Sequence, residues 1–302
     1  ALNLPPLPTP LRKGRGTKGE GILQATSYKL QANLVDPFHG LDDLTKKTIR
    51  CVGKPEERFR EDYSRMLRAI RLACQLDFAI ETQTWKALRR DIQHLNDARN
   101  GERIVSHEVI AKELVRVVVA QPVKALELLD TSGALKLLLP ELLKMKSCPQ
   151  PPQYHTEGDV WTHTVVALNK LSSKEFRKEF THPVEKNPKQ KLEIRNLKFE
   201  IPAELVWATL FHDVGKPPTL TITDRIRTNG HDVKGARMFR QVAERLKLSS
   251  AGVNVAVIEQ LIAKHLIATH AKKNQMKETT IEKYFFSPLF PGEQLLQLTF
   301  VD

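Results

Sequence analysis

The stretch LFHDVGKP, Leu210–Pro217, ends an apolar run on an adjacent histidine and aspartate. His212 and Asp213 are both metal-ligand types. Neighbours on a helix lie about 100° apart, so both can face one cleft if they sit at its lip. Two such ligands are too few to hold a metal, so partners are required. His163 lies in DVWTHTVVAL, His231 opens TNGHDVKGARMF, His265 comes late in VAVIEQLIAKHLIATH, and Asp302 ends LLQLTFVD. A single histidine on an apolar helix is most often a satisfied core residue. Several separated cases in one helical region weaken that account. A mixed imidazole and carboxylate set suits Mg²⁺, Mn²⁺, Fe²⁺, Ni²⁺ or Zn²⁺. The chemistry would be hydrolysis at phosphorus, where a metal lowers the pKa of water and neutralises phosphoryl oxygens. Lys216 and Lys234 would add positive charge near the phosphate.

These residues need helices to carry them, and the chain reads as mainly all-α. Residues 1–20 are rich in Pro, Gly and Lys/Arg, with no period, and read as tail or linker. Ile22–Tyr28 and Lys29–Val35 are expected to form a small strand pair, which would need something to pack on. Asp62 is expected to cap a helix running to about Leu76. Further helices are expected at Thr82–Ile92, Gly101–Val119 and Pro122–Ser132, with a short turn at Gly133–Met145. The Pro-rich joint Ser147–Gln153 is the expected boundary. It divides a tail at 1–40 and a helical region at 41–146 from a second helical domain at 154–302. There the helices are expected at Asp159–Leu171, Pro202–Phe211, Asp232–Lys247, Asn254–Ile267, Thr279–Phe285 and Gly292–Val301. Residues 172–200 are rich in lysine and arginine and read as a solvated surface loop, with phosphate-backbone contact as the alternative.

Composition bounds the partners. The chain has 302 residues, 41% hydrophobic, with a formal charge of +12. A polyanion such as RNA is a fair partner for that charge. No run approaches the roughly 20 apolar residues of a membrane span, and no signal peptide is visible. Cys51, Cys74 and Cys148 lack C-x-x-C spacing and fit a reducing, cytoplasmic setting.

The order H…HD…H…D, with HD-x-GK, an upstream HT and a downstream GH-x-x-x-GA, resembles the HD phosphohydrolase superfamily over roughly Tyr154–Asp302. That resemblance implies a metal held by His163, His212, Asp213 and a late aspartate, matched here by Asp302. His231 and His265, with Lys234, would then serve a second metal or the phosphate. His212, Asp213 and Lys216 would be the catalytic group, and the metal would be Mg, Mn or Ni.

DPFHGLDDL, RFREDYSRMLRAIR and GERI-x-x-E-x-x-K-E-L resemble the bacterial class II tRNA nucleotidyltransferases and poly(A) polymerases. The likeness implies a neck that reads ATP or CTP through Glu61, Asp62 and Arg65, with Arg68 in support. Glu102, Arg103, Glu108 and Lys112 would buttress that neck. The chemistry stands without the family. Asp62 and Arg65, three apart, would share a helix face. A carboxylate accepts from an exocyclic amine and a guanidinium donates to a ring acceptor, so cytosine and adenine both suit the pair. The bland reading is an intrahelical ion pair worth about 0.3 kcal/mol.

Two departures stand out. Tyr63 replaces a proline usual in the family. The family's catalytic head, with its Gly-rich turn and D-x-D, finds no counterpart before Asp36, so the first 40 residues are expected to be a small β remnant of it. The expectation is a headless fragment or paralogue that does not itself transfer nucleotides, with a head in cis or in trans. Three functions follow: the RNA-holding and nucleotide-reading part of a CCA-adding or poly(A)-adding enzyme, with tRNA or another RNA as partner; a stand-alone metal-dependent phosphohydrolase acting on 2′,3′-cyclic or other phosphoesters; or a non-catalytic RNA-binding module.

Overall fold

The computed structural model describes residues 36–180, 200–269 and 276–302, without the side chains of 268 and 269. The strand pair expected at Ile22–Val35 lies outside these residues. The described chain is largely α-helical, with only short two-residue strands in three separate pairs.

Local signals in the sequence set most helix ends. Helix α1 is Pro55–Glu61, α2 is Ser64–Leu76 and α3 is Thr82–Asp91. Helix α4, His107–Ala120, begins where Ser106 accepts from the backbone N–H of Val109. Helix α5, Pro122–Ser132, has a proline in its first turn and Gly133 in the left-handed region after its last residue, the usual pair of start and stop signals. Helix α6, Val160–Lys170, is capped by Asp159, whose carboxylate accepts from Thr162 and also from the backbone N–H of Ser147. Helices α7, Lys174–Phe180, and α8, Ala203–Phe211, follow. They precede α9, His231–Leu246, α10, Val255–Lys264, and α11, Gly292–Val301.

Three expectations change. Asp62 does not lie on the helix of Arg65: it sits in extended backbone between α1 and α2, and its side chain accepts from the N–H of Ser64 at 2.8 Å. The helix expected from Gly101 starts only at His107, because Asn100 and Gly101 both take positive φ and turn a hairpin that pairs Ala98–Arg99 with Glu102–Arg103. An Asn-Gly pair favours that turn, and helical periodicity masked it. Finally, the basic stretch after Leu171 begins not as loop but as α7, which buries Phe176 against Phe180 and Phe300.

Phe38–Asp302 forms one compact unit, and the Pro-rich joint Ser147–Gln153 lies inside it. At its axis is α8, whose residues Leu205–Phe211 are all buried. A helix apolar on every side belongs in a core. It packs against α4, α6, α10 and α11, and Trp207 and Phe211 gather Phe239 of α9 around them. Truncating such an aromatic costs about 3–5 kcal/mol. The helix therefore delivers its C-terminal neighbours, His212 and Asp213, to a fixed place inside the protein.

The three thiols make a simple check on this packing. Cys51 is partly exposed, whereas Cys74 and Cys148 are buried, and burial pushes the Cys74 thiol up to about 11. A thiol with that pKa is about 0.1% thiolate at pH 8, so a thiol reagent should label Cys51 first and Cys74 only after denaturant is added. Rapid labelling of Cys74 in the native chain would contradict the core described here.

Candidate metal centre

Four imidazoles and two carboxylates converge where α6, α8, α9, α10 and α11 meet. His163 lies within α6, His212 and Asp213 follow α8, His231 heads α9, His265 follows α10 and Asp302 follows α11. Candidate ligand atoms of His163, His212, Asp213 and Asp302 lie within 4.8 Å of one another, and so do those of Asp213, His231 and His265. Asp213 belongs to both sets. Its Oδ2 is 3.2 Å from His212 Nε2 and 3.7 Å from His163 Nε2, while its Oδ1 is 3.4 Å from His231 Nε2 and 3.9 Å from His265 Nε2. Asp302 Oδ1 completes the first set, 2.8 Å from His163 Nε2 and 3.4 Å from His212 Nε2.

The rings are held from behind. His212 Nδ1 donates to the carbonyl of Thr209, His231 Nδ1 to that of Thr228 and His265 Nδ1 to that of Ile262, each three residues upstream. His163 Nδ1 instead donates to the Glu157 carboxylate at 2.6 Å. A carbonyl or carboxylate can only accept, so each Nδ1 carries a proton. A ring in its neutral form then presents a bare Nε2 lone pair to the centre. Those lone pairs face each other in two places, His163 against His212 at 3.3 Å and His231 against His265 at 3.2 Å. Two facing lone pairs need a cation or a proton between them, so the donor set fits a divalent metal.

The charges agree with this fit. Burial alone would depress His212, but Asp213 and Asp302 outweigh it and hold the imidazole up to about 10. Burial would raise the two aspartates, but His212 and Lys216 pull Asp213 well below the usual carboxylate range, and His163 and His212 do the same for Asp302. Burial, with a positive His212 nearby, depresses His265 to about 4. The centre thus stabilises one positive charge between two carboxylates, the charge that a bound cation supplies. A divalent cation held by these residues would displace that proton. Lys216 Nζ lies 2.6 Å from Asp213 Oδ2, though no donor among the described residues is aligned to hydrogen-bond that buried oxygen. The same ammonium donates to Gln150 Oε1 at 2.6 Å, so the Pro-rich joint also reaches the centre.

The sequence-predicted residues divide cleanly. The structure brings together His163, His212, Asp213, Lys216, His231, His265 and Asp302. Lys234 is exposed in the first turn of α9. Glu157, His155 and Gln150 were missed, because they sit in irregular chain with no helical period to expose them.

Glu61, Asp62, Arg65 and Arg68 lie elsewhere in the unit. Glu61 Oε2 takes ion pairs from both Arg58, at 2.5 Å, and Arg65, at 2.6 Å. Arg65 therefore pairs with Glu61, four residues before it, and not with Asp62. Arg58, Arg65 and Arg68, with Arg50, line a cavity of about 380 Å³ floored by Phe59 and Leu72. Of the four expected buttress residues, Arg103 donates to the carbonyls of Leu95 and Val105 and Glu108 pairs with Lys247 beyond α9, while Glu102 and Lys112 are exposed. The part-buried ion pair joining α2 to α4 is Arg71–Glu113, at 2.6 Å.

Comparison with known proteins bears on both halves. The HD domain family matches residues 162–297, a span that stops short of Asp302. The chain is similar to the multifunctional CCA protein of Neisseria gonorrhoeae, 29% identical over 86% of this chain and 54% of that protein. It is likewise similar to the multifunctional CCA protein of Neisseria meningitidis serogroup B, 30% identical over 86% of this chain and 53% of that protein. The chain thus spans about half the length of these curated relatives. A solved structure titled "Structure of tRNA-processing enzyme complex 3" aligns with 89% of this chain and 69% of that chain, at 17% identity and a TM-score of 0.30. No helix among the described residues is long and apolar enough to cross a membrane.

Proposed function

We propose that this member of the CCA-adding and poly(A)-polymerase superfamily, with its HD domain, is a divalent-metal-dependent phosphohydrolase that also binds RNA and nucleotides. One observation carries the hydrolytic reading: two pairs of facing Nε2 atoms flank Asp213, which turns one oxygen to each pair. His163, His212, Asp213 and Asp302 would hold one divalent cation, and Asp213, His231 and His265 a second. Such a cation supplies charge to a phosphoryl group and makes water a nucleophile at neutral pH. The protein's own residues do the rest. Backbone carbonyls and Glu157 fix the imidazole tautomers, the apolar walls of α8 and α10 exclude bulk water, and Lys216 offers an ammonium to a phosphoryl oxygen. Phosphoesters of RNA ends or nucleotides, such as 2′,3′-cyclic phosphates, are the substrates that the chain's basic character and its relatives suggest.

A second reading rests on the arginine-lined cavity. Four arginines lining about 380 Å³ of space suit a nucleotide such as ATP or CTP, and Glu61 is ion-paired to two of them. On this reading residues 41–146 serve as neck and body for a tRNA substrate and residues 154–302 as the HD domain. A cytoplasmic setting suits its three unpaired thiols.

The test is direct. The chain is stripped with chelator, reloaded with Mg²⁺, Mn²⁺ or Ni²⁺, and assayed on 2′,3′-cyclic AMP. Hydrolysis that disappears on chelation and returns with one metal supports the reading. Absence of bound metal and of turnover under every condition would leave an RNA-binding module whose histidine cluster is structural.

A further inference from the structure

His163 is held differently from the other three imidazoles of the centre. Their Nδ1 atoms rest on neutral backbone carbonyls three residues upstream. The Nδ1 of His163 rests on a carboxylate from the chain ahead of α6, Glu157 Oε1, at 2.6 Å. The same oxygen accepts from His155 Nδ1 at 3.1 Å, and the His155 ring stands edge-on to His163 with centroids 4.8 Å apart. One Glu157 oxygen thus accepts from two imidazoles, at the entry to the helix that carries His163.

An anionic acceptor behind an imidazole does two things that a carbonyl does less well. It fixes the tautomer with the proton on Nδ1, and it raises the electron density at the opposite Nε2. We propose that Glu157 is a positioning residue that orients His163 and strengthens it as a ligand, making the His163–His212–Asp213–Asp302 set the tighter of the two cation sites. The ligand count points the same way. That set offers two imidazoles and two carboxylates, whereas the other offers two imidazoles and the Asp213 that it shares. This inference rests on the metal reading above but is tested partly apart from it.

The experiment uses the full chain with ¹⁵N-labelled histidine. The His163 tautomer is read by NMR in the metal-free protein, for the parent, Glu157→Ala and Glu157→Gln. Co²⁺ is then titrated by its visible absorption, in the parent and in a His231→Ala background where only the first set remains complete. The parent should keep a proton on His163 Nδ1, and Glu157→Ala should lose it in favour of the Nε2–H form that faces Asp302 Oδ1 at 2.8 Å. Affinity at the first set should fall about 10–100-fold in Glu157→Ala and less in Glu157→Gln, whose amide oxygen still accepts from Nδ1. The weaker step of the parent titration should not move. Two results overturn the proposal: unchanged tautomer and affinity in Glu157→Ala, or an equal fall at both steps accompanied by a lower Tm, which would mark a merely structural role. A parent chain that binds no Co²⁺ sinks the metal reading instead, and the tautomer measurement then decides on Glu157 alone.

Discussion

Asp213→Ala should lose divalent metal at both sets and lower phosphoester hydrolysis by about 10³-fold or more, the several kcal/mol of transition-state stabilisation that a bound cation supplies. The reason is its double membership. Removing Asp302 or His163 would damage one set, and removing His231 or His265 the other, but Asp213 gives Oδ2 to the first and Oδ1 to the second. Its loss also strands charge. Lys216 would keep only the Gln150 amide oxygen as a partner, and breaking a buried ion pair from one side costs about 3–5 kcal/mol. A folding defect could therefore mimic a catalytic one. Asp213→Asn guards against this, since it keeps the shape and the acceptor oxygen while removing the anion. Metal content and turnover on 2′,3′-cyclic AMP should fall in both variants, while the Asn variant keeps the parent's helical circular dichroism. His231→Ala should lose one equivalent of metal and less activity. Either Asp213 variant retaining both full metal content and turnover would show that the convergence on Asp213 is not the working site.

How much of this was legible in the sequence depended on whether a residue sat on a periodic element. The helix Pro122–Ser132 was readable to the residue because proline and glycine mark its ends. His163, His212, Asp213, His231, His265 and Asp302 were readable because a polar group on or at the end of an apolar helix stands out. The structure adds what spacing cannot hold: 139 residues separate His163 from Asp302, and their 2.8 Å approach depends on how α11 packs on α6 and α8. Periodicity also misled. Asp62 read as the cap of a helix whose face it would share with Arg65, whereas it lies in extended chain between α1 and α2 and Arg65 pairs with Glu61. Tyr63, stacked on His94 with ring centroids 4.8 Å apart, occupies the entry to α2 where the resemblance expected proline. Glu157 could not be found from period at all, since it acts from irregular chain six residues before its partner.

Gly215→Ala should be the most damaging single methyl in the HD-x-GK stretch. The residue's φ is −79°, an ordinary value, so the requirement is for space and not for backbone freedom. A Cβ placed there would lie 2.0 Å from the carbonyl oxygen of His231 and 2.7 Å from the N–H nitrogen of Gly235. Both obstacles are backbone in the first turns of α9 and cannot rotate aside. The helix would have to withdraw by more than about 1 Å, and His231 would leave Asp213 and His265 with it. Overpacking of a core costs about 1–3 kcal/mol, and a backbone clash belongs at or above the top of that range. For a unit of this size that corresponds to a fall in Tm of about 5 °C or more, together with loss of the Asp213–His231–His265 cation site. Gly235→Ala gives the comparison. Its Cβ would meet Gly215 N at 3.2 Å and Ile262 Cγ2 at 3.4 Å, a shortfall that a few tenths of an ångström of movement relieves. Thermal melts and metal stoichiometry should therefore rank Gly215→Ala well below Gly235→Ala. A Gly215→Ala chain that melts with the parent and keeps its full metal content would mean that α9 is free to shift without disturbing the centre, and the rigid delivery of His231 argued above would fail.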